Sequence, residues 1–81
     1  MLYIVTKVAE YSDDDCALED IEIFSNKDTA KEYVKELHDI IIEPLEGIGD
    51  MTDSYEEGVM QFEIKHPQFR IIVEISEREI I

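Results

Sequence analysis

Apolar residues alternate with polar ones in two stretches near the start of the chain and two near its end. Between them they recur every three or four positions. Leu2, Ile4, Thr6 and Val8 share one face of an extended segment, with Tyr3, Val5 and Lys7 on the other. A period of two marks a strand. A second strand is predicted over residues 18–24, with Ile21 and Ile23 on its core face. Only polar residues separate the two, so an antiparallel hairpin is the economical pairing.

Ser25 then reads as a helix N-cap, with Asp28 three residues on as an approximate capping box. The spacing predicts a helix over 26–43, about 27 Å long at the usual rise per residue. Ala30, Tyr33, Val34, Leu37 and Ile41 form its buried stripe. Pro44, which lacks an amide hydrogen, ends it. Residues 45–57 form an acidic connection made pliable by Gly47 and Gly49, with room for a short helical turn after Pro44. Period two returns with Met60, Phe62 and Ile64 opposite Gln61, Glu63 and Lys65. His66, Pro67 and Gln68 make a turn. Phe69, Ile71, Val73 and Ile75 define a fourth strand, and Ile72 adds an apolar residue to its other face. Residues 77–81 extend that strand or fray. The expectation is a single α+β domain over 1–81 in ββαββ order. It has two layers, an antiparallel sheet of about four strands and one helix packed on one face. Strand order is left open.

At 81 residues the chain is long enough for one core, and 44% apolar content supports one. No apolar run approaches the roughly 20 residues of a membrane span. No basic start leads into an apolar stretch as in a secretory signal. The single cysteine, Cys16, cannot form an intrachain disulfide, the usual staple of a small secreted domain. Starting at Met1, the chain reads as complete and cytoplasmic.

Charge changes the picture most. Twenty-one acidic and seven basic residues leave a net of −14. Such a balance repels nucleic acid and anionic membranes and favours a basic protein partner. The excess is concentrated. Glu10, Asp13, Asp14, Asp15, Glu19, Asp20 and Glu22 follow one another without a base. So do Glu43, Glu46, Asp50, Asp53, Glu56 and Glu57. The remaining eight acids and seven bases nearly cancel. On the helix, Asp28, Glu32, Glu36, Asp39 and Glu43 step by three or four and line one side. On the strand, Asp20 and Glu22 share a face about 6.6 Å apart. Phosphates along a polynucleotide strand are spaced by a similar several ångströms, one per ~3.4 Å of duplex axis.

A plainer reading stands beside this. Loops are polar in any case, and acidity keeps proteins soluble. Lys27, Lys31 and Lys35 run beside the helix acids. The pairs Asp28–Lys31, Glu32–Lys35 and Lys35–Asp39 have the spacing that laces a solvated helix face.

Catalytic patterns are not evident. Gly47, Ile48, Gly49 and Asp50 lack the further glycine, the strand–helix context and the lysine of a phosphate loop. Asp13, Asp14 and Asp15 lack the spacing of a calcium loop. His38 and His66 are far apart, and read as an exposed helix residue and a turn residue. Cys16 among aspartates makes a poor thiolate. The expectation is no enzyme, no cofactor and no metal site, with an acidic divalent-metal enzyme as the weakest alternative. Among the tyrosines, Tyr33 reads as core. Tyr11 and Tyr55 sit beside the acidic segments, where an aromatic can anchor a contact.

Residues 21–34, from Ile21 through Phe24, Ser25, Ala30, Tyr33 and Val34, resemble a strand-into-helix element common in small phage and bacterial proteins. Size, acidity and layout together resemble the phage-encoded counter-defence proteins, anti-CRISPR proteins and other DNA mimics among them. The likeness is one of type. It implies an inhibitor that occupies the basic groove of a nuclease or CRISPR effector in a bacterial host. The expected partner-binding residues are Asp13, Asp14, Asp15, Glu19, Asp20 and Glu22 in one patch. Glu46, Asp50, Asp53, Glu56 and Glu57 form the second. The alternative is a small structural or adaptor domain that binds through its sheet face or edge, including as a homodimer. Val5, Ile72, Ile80 and Ile81 would supply its apolar surface.

Overall fold

The structure is a computed structural model that describes residues 1–11 and 16–79. Strand β1 (Leu2–Tyr11) and strand β2 (Cys16–Phe24) form the expected antiparallel hairpin, both longer than the alternation alone indicated. Helix α1 (Lys27–Ile42) follows, then a short 3-10 turn over Glu43–Leu45 that opens around Pro44. A two-residue strand β3 (Thr52–Asp53), β4 (Gln61–His66) and β5 (Phe69–Arg78) complete the chain. The sheet is antiparallel with five strands in the order β2-β1-β5-β4-β3. The α+β class holds. The fifth strand escapes sequence reading because two residues carry no periodicity.

The helix starts one residue later than Ser25 suggested. Asn26 is extended, and its side-chain oxygen accepts the amides of Asp28 and Thr29 at 2.8 and 3.2 Å. Asparagine and serine cap about equally well, so position relative to the first helical turn decides between them. Ala30, Val34, Leu37 and Ile41 are buried as their spacing requires, while Tyr33 is half-buried at the flank. They pack on Val5, Phe62, Ile64, Val73 and Ile75 to form the core.

Ile21 and Ile23 are not in that core. Both lie more than half exposed. Register explains why. Val5, buried under the helix, stands opposite Glu22, and Ile4 opposite Ile23. Since side chains alternate faces, Asp20, Glu22 and Phe24 point to the helix side and Ile21 and Ile23 to the uncovered side. The same register places Val5 in the core, so it offers no external apolar surface. Ile80 and Ile81 lie outside the described residues. A break in register after Lys7 inserts Glu19 as an extra residue in β2. The molecule is a slab of 43 × 26 × 16 Å, one sheet and one helix thick.

Candidate protein-binding surface

On the helix side, β2 contributes carboxylates that its neighbours hold in place. Glu19 lies 3.3 Å from Lys7 Nζ and accepts the Tyr11 hydroxyl at 3.4 Å. Asp20 accepts the hydroxyl of Tyr33, which reaches across from the helix. The Tyr33 hydroxyl is pushed up to about 12, chiefly because it donates a hydrogen bond to Asp20, then by burial, then by the charges of Asp20, Glu22 and Glu36. Of these carboxylates Asp20 is the one in contact with the phenol. Tyr33 also packs on Phe24, ring centroids 5.3 Å apart, which fixes its direction.

Along the helix, Asp28, Glu32, Glu36 and Asp39 are exposed. None of the three lysine–acid pairs expected from the spacing closes to ion-pair distance. Lys27 reaches instead to Glu77 on β5, at 3.5 Å. Lys31 and Lys35 stand beside Asp28 and Glu32 around one cleft without closing on them. The sequence shows this row of acids and leaves it open between a contact surface and an ordinary laced helix face. Tyr33, expected in the core, packs against its margin and stays half-buried.

The second acidic segment divides. Asp53 turns inward: one oxygen is 2.5 Å from His38 Nε2, and the other accepts the Tyr55 amide at 2.9 Å. His38 stacks on Tyr55, centroids 4.1 Å apart, and meets the edge of Phe62. With its side chain only 14% exposed, His38 is part of a clasp that fixes β3 to the helix, not the free surface residue the sequence suggested. Its position beside Leu37 and four residues after Val34 was the available signal. Glu46, Asp50, Glu56 and Glu57 are exposed on the loops. Asp50 adopts a positive φ of 62°, tolerated by aspartate in tight turns. Gly47 and Gly58, at φ of 86° and 81°, bracket the segment with turns that a side chain would strain. Glu57 lies with Asp28, Lys31, Glu32, Lys35 and Tyr55 around a shallow cleft on this flank.

The two predicted patches do not merge. β2 and β3 are the opposite edges of the sheet, four strand spacings or about 19 Å apart. The helix carboxylates lie between them. Asp13, Asp14 and Asp15 fall outside the described residues.

His38, Asp53 and Ser54 are the residue types of a nucleophilic triad, but their bonds make a different object. Ser54 Oγ accepts the Glu63 amide at 2.7 Å, and His38 Nδ1 has no hydrogen-bond partner among the described residues. No group of three metal-ligating side chains occurs among those residues, and no helix is long and apolar enough to cross a membrane. Comparison with protein families, curated proteins and solved structures finds no match to this chain.

Charge is polarised through the slab. The uncovered face carries Glu10, Glu63 and Glu74 against Lys65, Arg70 and Arg78, so its charges cancel. Arg70 joins Glu10 at 2.6 Å and Glu63 at 3.8 Å. The helix side holds Glu19, Asp20, Glu22, Asp28, Glu32, Glu36, Asp39, Asp53, Glu57 and Glu77, while Glu43, Glu46, Asp50 and Glu56 are exposed on the 3-10 turn and loops. Only Lys7, Lys27, Lys31 and Lys35 stand against them.

Proposed function

We propose that this chain is an acidic protein-binding inhibitor whose helix side occupies the cationic groove of a nucleic-acid-binding protein, in the manner of a nucleic-acid mimic. The observation that supports the reading is the polarised charge. The excess of acid gathers on one broad side, from Glu22 and Asp20 across Glu36 and Glu32 to Glu57, while the other side is neutral. Helix and strand carry Asp20, Glu22, Glu32 and Glu36, so contact with a partner needs no ordering of the backbone beneath them. A groove built for phosphate offers lysine and arginine at matching intervals, and contact would release the counterions condensed on both surfaces.

Affinity capture from a bacterial lysate tests this. At about 50 mM salt the immobilised chain is expected to retain a nucleic-acid-binding protein that about 200 mM salt or added duplex DNA elutes. A retained protein that neither salt nor duplex removes would contradict the proposal.

A further inference from the structure

We infer that the uncovered sheet face is a self-association surface, on which a second copy of this chain stacks to give a helix–sheet–sheet–helix assembly. Leu18, Ile21 and Ile23 on β2 are 59%, 53% and 58% exposed. Register places Ile4 beside Ile23, Thr6 beside Ile21, and Val8 between Leu18 and Ile72. Together they form one continuous apolar field over β2, β1 and β5. Contiguous apolar patches larger than a few hundred Å² on a small monomer mark interaction surfaces. The other exposed isoleucines, Ile40 and Ile48, lie apart on the helix end and the following loop.

Charge identifies the occupant. A chain with a net of −14 repels its own copies through most of its surface. The uncovered face is where its acids and bases cancel, three against three. Stacking there places the two sheets about 10 Å apart and turns both acidic helix layers outward. The helices then stand roughly 30 Å from each other, several Debye lengths at physiological salt. Size permits the contact, because the whole molecule spans 43 × 26 Å across its broad side and a standard interface needs about 800 Å² from each partner. Pairing through the free edge of β2 is the less favourable route to a dimer. A two-fold axis there would bring Glu19, Asp20 and Glu22 of one copy against the same carboxylates of the other.

Sedimentation equilibrium of the intact chain tests the inference without any partner, so its outcome is separate from the capture result. A dimer is expected at about 100 µM, strengthened as salt screens the residual repulsion. Ile21→Glu with Ile23→Glu should weaken it by about tenfold or more. Leu18→Ser is the milder second variant and should weaken it less. Near-ultraviolet circular dichroism should show both variants folded, since these side chains lie outside the core. A wild-type chain that stays monomeric at that concentration in high salt would overturn the inference. So would folded variants that dimerise as strongly as wild type.

Discussion

Tyr33 donates a hydrogen bond from its hydroxyl to Asp20 in the field of Glu22 and Glu36, and this arrangement has a titration signature. In the unfolded chain the phenol titrates near its ordinary value of about 10. In the folded chain it holds its proton to about 12. Between those values the native state binds a proton that the unfolded state has released, so stability falls as pH rises through the window. Below about pH 10 the contribution is fully present. Tyr33→Phe removes the titrating group, so its urea midpoint should fall less between pH about 9 and pH about 11 than that of wild type. Parallel losses in the two proteins would show that the phenol is not held as described. On the opposite flank, Tyr55→Ala removes the ring stacked on His38 and set against Phe62. Loss of these contacts should cost about 1–3 kcal/mol in urea unfolding. A change under about 0.5 kcal/mol would mean that the clasp does not hold β3.

At the scale of elements, the helix and the hairpin were readable because each has a regular period and a clear terminator. The facing of β2 was not. Alternation divides a strand into two sides without saying which side meets the helix. Two β-branched isoleucines against acids and a phenylalanine favoured the wrong side. Pairing with β1 settles it, through contacts between residues far enough apart that no local pattern records them. The candidate site was legible in the same uneven way. Composition revealed the acidic segments, but not that Asp53 is spent on His38 or that Lys27 reaches across to Glu77. Two substitutions separate the faces. Phe62→Ala empties a fully buried position and should cost about 3–5 kcal/mol. Ile23→Thr keeps the branching of an exposed strand residue and should change monomer stability in dilute solution by less than about 0.5 kcal/mol. Equal losses from both would place Ile23 in the core after all.

Seen whole, the molecule is a thin slab with two unlike broad sides. One side has a helix, a row of carboxylates and an unbalanced charge. The other has a bare sheet whose charges cancel and whose β2 half is apolar. A solubilising excess of acid has no reason to avoid one side of a protein. A recognition surface and a self-association surface do, since each functions only if it excludes the other's chemistry. Charge reversal on the helix side compared with disruption of the bare side tests this division most directly. Capture from one bacterial lysate should be run in parallel with wild type, with Asp20→Lys, Glu22→Lys and Glu36→Lys combined, and with Ile21→Glu and Ile23→Glu combined. All three proteins should be verified as folded. The account predicts that wild type and the isoleucine variant retain the same salt-sensitive protein and that the lysine variant loses it. Retention by the lysine variant and loss by the isoleucine variant would contradict it.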